Sequence, residues 1–350
     1  MNLDKKKTIV ASIIFFSSFS FFLSFIINFS FARYLSRDLF GLVSFTQNLS
    51  NILLIVFFGS ITLSYLKILN KIDLKKYNYI LKKYIKLNLF FSIVILISFS
   101  FINFTDFLTP RTQLISMIIL IILPVSSIEC YILFYKKRNN FFKINFLSSI
   151  VNVVKFFLII PIFFFDSNIN DKILFYYFYI LYLILFFIIL QQHLSFDYQI
   201  KKIKKNFFNF IIRVSKKTLP FLFYMILHYL FYSTDLIFLK IFGTLENISN
   251  YYLAFLIFNI FMMPFAAVYQ KYFMNYIFLW SLKKNKSLFI FFKSYFLVLI
   301  LGLFGVLIII FFSKNFLIIM DLNKYNDALF LIYIFSLNIP IVYLSTHFGL

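Results

Sequence analysis

Long apolar runs alternate with short Lys-rich stretches along this chain, and the basic stretches are heavy only after every second run. The runs at 9–32, 40–66, 87–104, 112–135, 144–165, 173–192, 218–239, 251–280, 288–312 and 328–348 are each long enough to cross a bilayer as a helix. Hydrocarbon offers no partner to a backbone amide, so only helices and closed barrels can span it. Barrel strands alternate apolar with polar residues, whereas LYLILFFIIL (181–190) and VLIIIFF (306–312) are apolar on every face. The expected fold is an all-α polytopic membrane bundle of about ten transmembrane helices.

A net charge of +22 would suggest nucleic acid in a soluble protein, but here the placement of the cations is a topology signal. Lys5, Lys6 and Lys7 open the chain, and the later heavy stretches fall at 67–86, 136–143, 201–217 and 283–293. The intervening connections carry only Arg33 and Arg37, Arg111, Lys172, Lys240, and Lys314 with Lys324. Positive charge stays inside, so the N terminus is expected in the cytoplasm. The basic stretches imply anionic phospholipids as partners and no nucleic acid. Residues 9–32 exceed a signal-peptide core and lack a small-residue cleavage site, so this first run is expected to remain. Cys130 is the only cysteine, which excludes an internal disulfide and a thiolate metal cluster. The 57 Phe are spread through loops and runs alike, so no single ring argues for sugar stacking.

The basic segment 193–217, FDYQIKKIKKNFFNFIIRVSKK at its heart, mixes apolar and cationic residues at helical spacing, as an interfacial amphipathic helix does. It divides the chain into an N-terminal six-helix part, 1–192, and a C-terminal part of four helices, 218–350. The two parts echo each other. FARYLSRDLFGLVSFTQNLSNILL (31–54) and FLKIFGTLENISNYYLAFLIFNIF (238–261) each show an apolar end, a short polar turn with an acidic residue, then a long run rich in amides. Repeated halves are a known transporter plan.

In ARYLSRDLFGLVSF (32–45) and LPFLFYMILHYLFYSTDLIFLKIFGTLENISNYYLAF (219–255) the chain resembles the polysaccharide flippases, the O-antigen and lipid-linked oligosaccharide translocases of the multidrug/oligosaccharidyl-lipid/polysaccharide exporter superfamily. The resemblance implies a two-lobed exporter fold in a bacterial plasma (inner) membrane and a polyprenyl-pyrophosphate-linked oligosaccharide as cargo. Glycan polymerases or glycosyltransferases are its implied partners. Family members usually carry two complete six-helix bundles, so the resemblance also implies a shortened C-terminal lobe or an incomplete chain.

Moving a pyrophosphate-linked glycan past hydrocarbon requires a polar or cationic cavity, so ionisable groups inside the runs are the candidates. Lys155, central in SSIVNVVKFFLII, is too deep to snorkel easily; it either lines a cavity that attracts pyrophosphate or partners a polar group on another helix. Lys271, beside Gln270, is the second such cation. His228 and Asp235 lie seven residues apart on nearly one helical face, a candidate pair for coupling to a proton or sodium gradient. Alternatively Asp235 sits shallow and pairs with Arg33, Arg37 or Lys240. Pro264 removes a backbone hydrogen bond and either gates or fixes a static kink. Arg33, Arg37 and Arg111 offer paired donors suited to phosphate, of a released substrate or of ordinary headgroups. The amides Asn28, Gln47, Asn48, Asn51, Asn145 and Asn152 either meet sugar hydroxyls or join helices.

No nucleotide-binding Gly-rich loop and no zinc-spaced His pair occurs, so the expectation is a transporter, with no cofactor and no metal, rather than an enzyme. A cation-coupled multidrug antiporter is the nearest alternative, though it would favour buried carboxylates. A membrane glycan polymerase or ligase would need larger outer loops.

Overall fold

A computed structural model of the chain describes residues 3–54, 85, 89–90, 93–94, 97, 109–137, 141–165, 169–194, 219–220, 223–224, 226–227, 234–268 and 287–348. In order, the helices are α1 (Leu3–Tyr34), α2 (Arg37–Leu54), α3 (Pro110–Leu120), α4 (Ile122–Lys137), α5 (Phe141–Phe165), α6 (Asp171–Leu194), α7 (Leu245–Val268), α8 (Ser287–Ile319), α9 (Ala328–Leu337) and α10 (Ile339–Phe348), with a 3-10 turn at Asn323–Tyr325. Residues 234–242 are also helical.

The all-α class stands, but the number of spans is corrected. Among the described residues four stretches are long and apolar enough to cross a membrane: Pro110–Ile132, Lys143–Pro161, Asp171–Gln192 and Tyr295–Ile319. They make the chain membrane-embedded in character. They replace the expected two-lobed exporter fold of about ten transmembrane helices. Two causes are visible in the residues. The described part of α2 opens on Arg37 and Asp38 and carries Gln47, Asn48 and Asn51, too polar for hydrocarbon. Within the expected run 328–348 the described apolar stretch is Ala328–Leu344, shorter than any of the four, and it carries a turn at Asn338 between α9 and α10, where Pro340 cannot donate to the preceding turn. The expected spans at 87–104 and 218–239, and the basic segment 195–217, fall wholly or mostly outside the described residues.

The chain forms two compact units, Met1–Ile27 with Val43–Phe242, and Asn28–Leu42 with Gly243–Leu350. In the first unit, α3 packs on α6, and α4, α5 and α6 pack on one another. Leu114, Met117, Leu174, Leu181, Tyr182 and Leu185 are fully buried there. Thr109 starts α3 by accepting a hydrogen bond from the Thr112 amide at 3.4 Å, with Pro110 in the first turn. Asn170 starts α6 by accepting from the Ile173 amide at 3.1 Å.

Polar side chains tie these helices together. Asn152 Nδ2 donates to the Ser20 carbonyl at 3.1 Å and to Ser20 Oγ at 2.9 Å, and Ser149 Oγ donates to the Phe16 carbonyl at 3.4 Å. Ser50 Oγ reaches the Ile118 carbonyl at 3.0 Å. Of the two uses open to Asn152, the structure displays helix joining. A double-mutant cycle of Asn152→Ala and Ser20→Ala, read by denaturant titration in detergent, is expected to give a coupling of about 0.6–1.7 kcal/mol. Additive losses would show that the contact contributes nothing.

In the second unit, α7 packs on α9 and α10, and α8 packs on α10 and α9. Tyr251, Phe255 and Phe258 of α7 surround Phe335 of α9 with ring centroids 5.2, 6.2 and 5.8 Å away. The unit also contains the corner between α1 and α2, whose Phe31, Ala32, Leu35 and Phe40 are at most 2% exposed. So thorough a burial marks this corner as part of the core.

Candidate functional site

The corner between α1 and α2 and the link 320–327 between α8 and α9 form a charged cluster within the second unit. Its construction begins with the end of α8. The Leu322 amide donates to the Leu317 carbonyl at 2.7 Å and the Asp321 amide to the Ile318 carbonyl at 3.0 Å, the paired bonds of a Schellman helix stop. That stop requires a left-handed residue, and Asp321 occupies it with φ 57° in place of the usual glycine. Its side chain meets a partner: Arg33 Nη2 lies 3.5 Å from Asp321 Oδ2.

Lys324 and Tyr325 finish α1. A helix end leaves its last carbonyls without partners. Lys324 Nζ donates to the carbonyls of Arg33 and Leu35 at 2.8 and 2.5 Å, and the Tyr325 hydroxyl donates to that of Ala32 at 3.1 Å. A cation at this end also complements the helix dipole. Partial burial holds the Lys324 ammonium below its ordinary range, against the opposing pull of Asp321. Burial raises the Tyr325 hydroxyl, with Arg37 working in the other direction. Tyr325 stacks edge-on with Phe40 at 5.9 Å, and Phe40 does the same with Tyr252 at 5.9 Å.

Arg37 closes the cluster. Its Nη2 lies 3.3 Å from Glu246 Oε2 in the first turn of α7 and 3.2 Å from Asp327 Oδ2 at the start of α9. The same guanidinium has a buried Nε with no hydrogen-bond partner among the described residues. Gly41, one turn further along α2, lets the backbone of α2 come up against Leu245: a Cβ at Gly41 would stand 2.9 Å from the Leu245 carbonyl carbon.

The two corners echoed in the sequence share one local construction. Ser36 Oγ accepts from the Leu39 amide at 3.3 Å and Thr244 Oγ1 from the Asn247 amide at 3.3 Å. The Ser36 carbonyl then accepts from Phe40 at 2.9 Å and the Thr244 carbonyl from Ile248 at 3.2 Å. In each, an acidic residue, Asp38 or Glu246, sits in the first turn, where the helix dipole favours it.

Among the sequence-derived candidates, Arg33 and Arg37 are brought together here and already hold carboxylates of their own chain. Glu246, Asp321, Lys324 and Asp327 complete the cluster without having been singled out; the acidic first turn after Thr244 was the signal for Glu246. Lys155 lies elsewhere, half-buried on α5 within Lys143–Pro161. No ion pair to Lys155 occurs among the described residues. Its backbone carbonyl accepts from the Tyr177 hydroxyl of α6 at 3.1 Å. Arg111 is exposed in the first turn of α3, and Asp235 is exposed on the helical residues 234–242. Pro264 lies inside α7. His228 and Lys271 lie outside the described residues. No metal-binding group of His, Cys, Asp or Glu is found among the described residues.

Comparisons with protein-family models, with curated proteins and with solved structures each find no match.

Proposed function

We propose that the chain is a flippase of the bacterial inner membrane, moving a polyprenyl-pyrophosphate-linked oligosaccharide from the cytoplasmic to the outer leaflet. The observation that carries this reading is Lys155, an ammonium half-buried midway along an apolar, membrane-length stretch and without a carboxylate partner among the described residues. A lysine at such a depth disfavours membrane insertion by about 2.5–3.5 kcal/mol. A passing pyrophosphate supplies the counter-charge that offsets this penalty. The alternation of Lys-rich stretches supports a cytoplasmic N terminus, and the resemblance at 32–45 and 219–255 supports the cargo class. His228 and Asp235 are the proposed groups for coupling to a proton or sodium gradient, and Lys271 is the proposed second attractive cation.

The test is translocation of a fluorescent polyprenyl-pyrophosphate glycan in proteoliposomes. Lys155→Ala is expected to lower the rate at least about tenfold, the scale of one lost charge-assisted contact, while Lys155→Arg retains most of it. Wild-type transport by a correctly inserted Lys155→Ala protein would remove the basis of the proposal.

A further inference from the structure

Asp327 stands within reach of two different partners, the guanidinium of Arg37 and the first-turn amides of α9. It occupies the residue before α9, where an aspartate normally accepts from the amides of the first turn. In the structure it makes no such bond, and its backbone is helical at φ −63° and ψ −23°. The carboxylate is turned instead toward Arg37 Nη2, 3.2 Å away. That nitrogen is shared with Glu246 at 3.3 Å, while the buried Nε of the same guanidinium has no partner among the described residues.

Neither arrangement is strongly preferred on physical grounds. Asp327 is 74% exposed, so its ion pair is screened by water and salt. An N-cap on a ten-residue helix is worth a comparable amount. If Asp327 leaves, Arg37 keeps Glu246 and gains freedom to turn its Nε and Nη2 together onto that carboxylate, the paired geometry that guanidinium favours. Departure therefore offers Arg37 and α9 gains that are offset by the loss of one exposed contact and a rotation of ψ at residue 327.

We propose that Asp327 is a two-position switch. Paired with Arg37 it leaves α9 uncapped and clasps the α1–α2 corner to the link 320–327; released, it swings to an extended backbone and caps α9. The clasp side chains are Arg33, Arg37 and Lys324 against Asp321, Asp327 and Glu246, so ionic strength or an anion competing for Arg37 drives the release. The consequence reaches α7, because α9 delivers Phe335 to the Tyr251, Phe255 and Phe258 rings.

The experiment is hydrogen–deuterium exchange by mass spectrometry on the full chain in detergent, read at the first turn of α9. Arg37→Gln frees Asp327 and is expected to raise protection of residues 328–331 about fivefold, the scale of one N-cap. The double variant Arg37→Gln with Asp327→Ala is expected to lose that gain. In the unmodified protein, moving from low to high sodium chloride is expected to raise protection of the same turn, a measurement that does not depend on any variant folding. Unchanged or reduced protection in Arg37→Gln and in salt, or a gain that survives Asp327→Ala, would overturn the switch. Transport plays no part in this readout, so its outcome is separate from that of the flippase reading.

Discussion

Gly41→Val is expected to cost the protein about 3 kcal/mol or more of stability, the upper range of a forced overpacking, and to leave little of it monodisperse after detergent extraction. At this position the group in the way is the backbone carbonyl of Leu245, its oxygen nearest and its carbon 2.9 Å from where a Cβ would stand, so no side chain can rotate aside. Small residues allow helices to approach this closely, and here the approach aligns three other features. Arg37 reaches Glu246 across the same crossing, Phe40 meets Tyr252, and Ile248 is fully buried. Valine would push α7 from α2 and separate all of them. Gly41→Ala is expected to show a smaller loss in the same direction. A thermal melt of Gly41→Val within about 1 kcal/mol of the unchanged protein would mean that the crossing tolerates a displaced α7.

How much of this could be read from residues alone depends on whether the controlling interactions are local. The helical class could be read, because runs such as VLIIIFF (306–312) leave no polar face for a barrel lumen. The shared corners could be read too, since a Ser or Thr followed by an acidic first turn is a local signal, and both Ser36 and Thr244 start helices. The number of spans could not. In a chain with 62% apolar residues, length of run alone overstates crossing among the described residues, as the amides of α2 and the short stretch Ala328–Leu344 show. The pairings of Arg33 and Arg37 were beyond reach, because Asp321 and Asp327 are 288 and 290 residues further along the chain. An arginine near an acidic turn gives no sign of whether it awaits a phosphate or already holds a distant carboxylate. Lys155 and Asn152 stand three residues apart on α5 and looked alike as polar intruders. The structure separates them, because Asn152 finds the Ser20 carbonyl whereas no ion pair forms at Lys155 among the described residues.

The glycines of α8 provide a second large effect with an internal control. At Gly302 a Cβ would come within 2.7 Å of the Pro340 Cα, again backbone, whereas at Gly305 the nearest atom would be Ile339 Cγ2 at an ordinary 3.5 Å. The difference follows from the break in the helix that ends at Asn338. Pro340 cannot donate into the preceding turn, and the turn at Asn338 between α9 and α10 stands just before the Pro340 backbone that meets Gly302. Gly302→Val is therefore expected to destabilise by about 2–3 kcal/mol through overpacking, and Gly302→Ala by less. Gly305→Ala is expected to be neutral or to stabilise by up to about 1 kcal/mol, because alanine favours the helix over glycine. Denaturant titration of the variants in one detergent checks the order. Equal effects of alanine at the two positions would show that α10 can slide along α8, and that the break at Asn338 does not fix its place.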